Sequence, residues 1–233
     1  MSDFYWTKDI DDAKREQRFL VDLVKINEST FDLNDFRIGL AIGTAYEENT
    51  KTAFAVCKRF DKNGRTIGDY IIASKEADFD YRPGLLVFRV GPAICQALNQ
   101  IHDEIDKISL FLFDGQGIAH SIGFGLASHF GVLFNKPSIG VTKKALFGEY
   151  STPSRGSYTY LKHPKTKSII GYCVSMGGES FFMSPGHRIT LKRSLDVVRM
   201  VSGKGYLPHP IRIVHEKANK IAREHWIAYK KML

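Results

Sequence analysis

Long apolar runs are missing from this chain of 233 residues. The greasiest stretches, residues 84–88 and 108–113, fall far short of the roughly 20 residues a helix needs to cross a bilayer, which excludes a helical membrane span. Residues 1–8 mix acidic, basic and aromatic side chains instead of presenting a charged-then-apolar leader, so a cytoplasmic protein with no membrane partner is expected. Cysteine is scarce and odd in number: Cys57, Cys95 and Cys173 lie far apart in apolar company. Buried free thiols in a reducing compartment are expected, and a disulfide-stapled scaffold is excluded. Acidic residues number 25 against 33 basic ones, for a formal charge of +8. That surplus favours encounter with polyanions such as nucleic acid, although a plain soluble basic protein carries the same charge. Repeats and long linkers are absent too, so one domain over residues 1–233 is expected.

What is present is a mixed α/β pattern. Residues 8–26 carry Ile10, Ala13, Leu20, Leu23 and Val24 at helical spacing, and residues 27–32 close that helix. Residues 37–45, 52–60 and 66–74 are rich in β-forming side chains. Polar turns separate them, the second being Asp61-Lys-Asn-Gly64, and the three runs predict an antiparallel meander. A loop over 78–84 leads to Gly91-Pro92, where proline in a first turn predicts a helix to about residue 105. The short apolar run 109–113 reads as a buried parallel strand. A helix over 121–133, a strand over 138–141 and a surface loop over 151–157 follow. Strands over 168–176 and 180–183 then precede helices over 189–201 and 214–230. Met183-Ser-Pro-Gly-His187 has the composition of a tight turn. The whole predicts an α/β fold with a mixed central sheet flanked by helices.

The segment most suggestive of chemistry is Leu110-Phe-Leu-Phe-Asp114-Gly-Gln-Gly-Ile-Ala-His120. An apolar strand ends there in a carboxylate, and the carboxyl ends of parallel strands are where ligands meet open α/β sheets. Asp114 is therefore a candidate ligand for a hard divalent cation. Its other reading is a turn residue capping the next helix. Gly115 and Gly117 are expected to let backbone N–H groups approach a ligand where a side chain would block it. Lys143 and Lys144 follow the strand at 138–141 and project from the same sheet edge. His120, His129, His187 and His215 are further polar candidates, each equally at home as a hydrogen-bonded structural residue.

Six segments, in order, resemble the endonuclease V family, metal-dependent nucleases that recognise inosine in nucleic acids. They are Tyr81-Arg-Pro-Gly-Leu-Leu-Val-Phe-Arg89, Phe113-Asp-Gly-Gln-Gly-Ile-Ala-His120, Gly125-Leu-Ala-Ser-His-Phe-Gly131, Pro137-Ser-Ile-Gly-Val-Thr-Lys-Lys144, Ser184-Pro-Gly-His-Arg188 and Pro210-Ile-Arg-Ile-Val-His215. The resemblance implies a ribonuclease-H-like fold. It places Tyr81 and Pro83 in a wedge that parts the base stack beside a flipped nucleotide. It places Gly84, Leu86, Gly115, Gln116, Gly117, His120 and Gly125 in the pocket for the base. It also puts Asp114, Lys143 and His215 at a catalytic centre using Mg²⁺ or Mn²⁺.

Two of that family's three acidic metal positions are missing. The first strand normally carries Gly-x-Asp, and the aligned residue here is Ala41; the segment after the wedge normally ends Phe-Arg-Glu, and here holds Val90. Glu47, Asp69, Asp78 and Asp80 are not placed to substitute. Metal binding is expected to be weak or absent, and the chain reads as an inosine-binding relative with cleavage lost or weakened. An active nuclease that cuts DNA or RNA beside inosine, and a non-catalytic scaffold, are the alternatives. Lys217, Lys220, Arg223, Lys230 and Lys231 on the last helix suit a nucleic-acid partner, or simply a solvated face.

Overall fold

Runs of β-branched, aromatic and small apolar residues, buried along most of β1 and β2, draw the first half of the chain into strands. β1 (Ile38–Glu47), β2 (Thr52–Asp61) and β3 (Thr66–Glu76) form the expected antiparallel meander. The Asp61 carboxylate fixes the β2–β3 turn by accepting the Asn63 and Arg65 backbone N–H groups at 2.8 and 3.0 Å, the usual role of Asp in a turn. The apolar run forms β4 (Leu110–Asp114), parallel to β1 on one side and to β5 (Ser138–Thr142) on the other. β6 (Tyr158–Lys162), β7 (Ile169–Met176) and β8 (Glu179–His187) make a second antiparallel set, joined to β5 through β8. All eight form one sheet in the order β3-β2-β1-β4-β5-β8-β7-β6. The computed structural model describes residues 6–27, 31–203 and 207–232.

Helices cover both faces of that sheet. α1 (Ile10–Leu20) starts at Asp9, whose carboxylate accepts the N–H groups of Asp11 and Asp12. α2 (Leu86–Asn99) and α3 (Leu126–Leu133) bury Phe88, Ile94 and Phe130 against Ile42, Phe111 and Phe113. On the opposite face α4 (Leu191–Val201) and α5 (His209–Lys230) bury Val197, Val198, Ile211 and Val214 against Ala41, Leu112 and Val141. Each fully buried side chain of this size contributes roughly 1.5–3 kcal/mol, so packing onto the sheet outweighs local helix propensity. Among the described residues no helix is long and apolar enough to cross a membrane.

Several boundaries differ from the sequence pattern, each for a physical reason. α2 begins at Leu86, so Pro92 lies inside it, and it stops at Asn99 before a separate 3₁₀ turn, His102–Lys107. An interior proline costs about 3 kcal/mol, which burial of Val87, Phe88 and Val90 ahead of it offsets. The first helix ends at Leu20 and passes into a 3₁₀ turn, Val21–Leu23; residues 28–30 of its expected closing segment lie outside the described residues. α3 starts at Leu126 instead of residue 121, and α5 starts at His209 instead of residue 214. β6 is an additional edge strand, turning Tyr158 and Tyr160 to solvent. Met183–His187 is no tight turn but the end of β8. The last β7 pair of β8 is Met183, so Pro185 lies where that side of the strand is unpaired and its missing N–H costs no ladder bond.

Three titratable rings sit in this core. His129 on α3 is fully buried, stacks on Trp6 at 5.6 Å and meets Phe88 and Phe124 edge-on or tilted. Neither of its ring nitrogens has a hydrogen-bond partner among the described residues. Burial pushes His129 down to about 3, and His120 and His187 down to about 4. Cys57 and Cys95, both free, are pushed up to about 12 by burial and stay unreactive thiols. Because the unfolded chain protonates its histidines near 6.5, it binds more protons than the folded one between that pH and about 4. Stability is therefore fully present above pH 6.5 and falls as the pH drops toward 4. Denaturant midpoints measured at pH 7.5, 6 and 5 should decline in that order, and His129→Phe should flatten the decline. A midpoint constant from pH 7.5 to 5 would contradict this account.

Candidate active site

β1, β4 and β5 run parallel, so their carboxyl ends share one edge of the sheet. Asp114 ends β4 there, and its Oδ2 lies 2.6 Å from Nδ1 of His215 on α5. His215 reaches it because the preceding residue, Val214, rests directly on β1. A Cβ built on Gly43 would lie 2.8 Å from the Val214 backbone carbon and 2.9 Å from its carbonyl oxygen. Only glycine permits so close an approach of the helix backbone. Lys143 stands just past β5, two residues beyond the Val141 that pairs with Asp114, and is exposed. The structure thus joins Asp114 to His215 and sets Lys143 on the same edge.

The donor set does not fit the metal that the resemblance implies. Neighbouring strands lie about 4.8 Å apart, so a second carboxylate for a shared ion would stand on β1 on the face Asp114 uses, level with it or one diagonal step away. Ile42 pairs with Phe113, which brings Gly43 to that level. Ala41 pairs with Leu112, two residues before Asp114, on the same face and within the apolar layer. Gly43, level with Asp114, and Ala41, the aligned position one diagonal step away, both lack a side-chain oxygen. Val90 is 1% exposed and packed in the layer that includes Phe88 and Ile94. Glu47 is occupied at the β1–β2 turn by Asn49 and Thr50, and Asp78 by Lys51 at 2.8 Å. Asp69 lies on β3, separated from β1 by β2. Among the described residues no three His, Cys, Asp or Glu side chains gather where an ion could be held. Mg²⁺ binds chiefly through carboxylates, and one carboxylate already hydrogen-bonded to an imidazole is not such a site.

Beside this edge a cavity of about 240 Å³ opens between the wedge loop and the loop after β4. Tyr81, Pro83, Gly84, Leu86, Gly115, Gln116, His120 and Gly125 all line it. Drug-sized ligands occupy about 300–1,000 Å³, so this space suits something the size of a single base. Tyr81 stands 56% exposed at the tip. Beneath it Arg89 is held by a two-pronged pair with Glu48 at 2.6 and 2.9 Å, its guanidinium 3.5 Å over the Tyr46 ring and 5.7 Å from the Tyr81 ring. His120 is buried and neutral at ordinary pH, its pKa lowered to about 4 by burial. Its Nδ1 accepts the Ile122 N–H at 3.4 Å, which leaves the proton on Nε2 toward Gly84.

The N–H groups of Gly115 and Gly117 are spent on packing and not left for a ligand, contrary to expectation. The Gly115 N–H donates to the Val141 carbonyl at 2.9 Å, and the Gly117 N–H to Ser184 Oγ at 3.0 Å. Gly117 faces β8 and not the cavity, because a Cβ there would collide with the Pro185 carbonyl oxygen. Pro185 in turn accepts the Ile118 N–H at 2.8 Å. Several functional positions escaped the sequence reading: Gln17, Phe124 and Phe147 line the cavity, and Arg89 supports its wedge. Gln17 had a signal, being a polar residue one turn after Ala13 on the apolar face of α1; it donates to the Gly84 carbonyl at 2.9 Å. On α5, Lys217 lies 5.5 Å from the Tyr70 ring, Lys220 pairs with Glu224 at 3.7 Å and Lys230 lies 4.8 Å from the Trp226 ring. These cations are engaged along the helix itself and with β3, away from Asp114.

Comparison with known proteins agrees with this arrangement. The family model for Endonuclease V matches residues 23–216. An endonuclease V of Thermosipho melanesiensis is 34% identical over 197 residues, covering 84% of this chain and 85% of its own. The crystal structure of endonuclease V from Streptomyces avermitilis superposes with a TM-score of 0.81 at 27% identity, over 94% of this chain and 96% of that one. That of Ciona intestinalis endonuclease V in complex with DNA containing an inosine followed by a ribo-adenosine has a TM-score of 0.79 at 19% identity, over 92% and 97%. The fold is that of these enzymes, the ribonuclease-H-like sheet that the resemblance implied.

Adding side-chain atoms at Gly43 or a charge at Val90 should be costly. Gly43→Ala drives a Cβ into the Val214 backbone, which is overpacking worth about 1–3 kcal/mol. Val90→Glu buries an uncompensated carboxylate and should destabilise further. Thermal melting should show a drop of roughly 2–4 °C per kcal/mol for a chain of this size. A Gly43→Ala protein that melts with the parent would mean α5 does not seat on β1 as described.

Proposed function

The chain belongs to the endonuclease V family, and on that premise we propose that it is a nucleic-acid reader which recognises inosine and no longer cleaves. The observation that carries the proposal is the contrast between a complete base cavity and a dismantled metal centre. Every expected wedge and pocket residue except Gly117 lines one space of about 240 Å³. The neighbouring metal centre keeps a single carboxylate, with Ala41 and the buried Val90 where the resemblance expects the other two acids. Relatives cut nucleic acid with divalent metal by the resemblance; Asp114 and His215, bonded to each other, do not supply an equivalent ion site.

In this reading Tyr81 and Pro83 enter the stack next to the target nucleotide, and Arg89 keeps Tyr81 upright through the cation–π contact. The flipped base lies between the wedge and the Gly115–Gln116 backbone. His120, neutral, gives its edge a shape without adding a charge. Lys143 neutralises a nearby phosphate, and Asp114, Lys143 and His215 remain as the remnant of the catalytic edge. The DNA complex of the Ciona protein supports a nucleic-acid partner for this fold.

Labelled single strands of DNA and RNA that differ by one inosine test the proposal, each with Mg²⁺, with Mn²⁺ and with chelator. Inosine-selective binding that persists in chelator, without product at high protein concentration, is expected. Metal-dependent nicking abolished by Asp114→Ala would refute it and reveal a working centre. Tyr81→Ala should weaken inosine binding roughly 5- to 150-fold, the range of about 1–3 kcal/mol for base stacking, and leave the melting temperature unchanged because the ring is exposed.

A further inference from the structure

A second and larger cavity, about 550 Å³, lies against the base cavity on the other side of Pro83, Gly84, His120 and Ser121. We infer that it holds the nucleotide adjoining the recognised base, on the same strand; the inference rests on the function proposed above. α1 forms one wall. Lys14, Gln17 and Arg18 are spaced by three and four residues and so share a face of that helix. Gln17 is buried and bonded to the Gly84 carbonyl, which docks α1 onto the wedge and points Lys14 and Arg18 into the cavity from either side of it. Arg82, on the wedge between Tyr81 and Pro83, faces them across the opening. Ile10, Leu85 and Ile122 supply an apolar floor.

Three cations around an apolar floor match the two chemistries of a nucleotide, a phosphodiester beside a flat apolar ring. The cations are open to such a ligand. Lys14 makes one exposed contact with Asp11 at 3.3 Å, a surface pair of the kind that contributes little. Among the described residues no ion pair engages Arg18 or Arg82. The two cavities share Gln17 and the Pro83–Gly84 turn, so a strand whose base enters the first places a neighbouring nucleotide over the second. The wedge and α1 then form a clamp on a single strand, one nucleotide on each side of Pro83.

The test is fluorescence anisotropy of labelled strands against the full chain and its Lys14→Gln/Arg18→Gln variant, across a series of salt concentrations. Each phosphate contact in a single strand contributes about 0.7 to the slope of log affinity against log salt, so the variant should lose about 1.4. Its preference for inosine over guanosine should be unchanged, since neither residue touches the base cavity. Removing the flanking nucleotides from one end of the strand should reproduce the loss for the parent protein and make no difference to the variant. Arg82→Gln alone should lower the slope by about half as much as the double variant does. An unchanged slope with inosine preference intact would overturn the second cavity and leave the reader standing. A reduced slope without any inosine preference in the parent would overturn the reader and leave a strand-binding groove. No binding by the parent would overturn both.

Discussion

Val214 resting its backbone on Gly43 is the contact on which the arrangement at the sheet edge depends. It fixes the height and rotation of α5 against β1. The next residue along the helix is thereby presented to Asp114, and a hydrogen bond of 2.6 Å closes the edge. The same contact removes the volume in which a β1 side chain beside Asp114 would stand. Packing and chemistry are coupled at one glycine: the helix can approach because no side chain is there, and none fits while the helix is seated.

The base cavity depends on a different economy of backbone groups. The loop after β4 lies against β5 and β8, and its N–H groups are taken by Val141, Ser184 and Pro185. It is rigid for that reason, as a preorganised pocket wall should be. The wedge is held from below by Arg89, which ties it through Glu48 and Tyr46 to the β1–β2 hairpin. Two walls that belong to distant parts of the chain are thus each anchored to the sheet, and α1 joins them through Gln17.

Much of this was legible in the sequence, and the failures have identifiable causes. The meander and β4 were readable because alternation and an unbroken apolar run survive burial on one face or on two. Pro92 misled because proline suits a first turn, while the structure keeps it inside α2 by burying a whole extra turn ahead of it. Ser184-Pro-Gly reads as a turn by composition; only the pairing of β8 with β5 on one side alone makes it strand. The loss of the acid at Ala41 was readable from the motif, but the seating of α5 on Gly43 was not, because it depends on a helix from the far end of the chain. Gln17 was visible as a polar break on an apolar stripe, but its partner, a carbonyl 67 residues away, was not.

A cluster of carboxylates prepared for a cation is frustrated until the cation arrives, because like charges held within a few ångströms repel. The edge of this sheet is free of that tension. Its one acid is matched by an imidazole, a glycine lies beside it under a helix, and Val90 stays in an apolar layer. The charge of the edge is thus balanced within the chain itself.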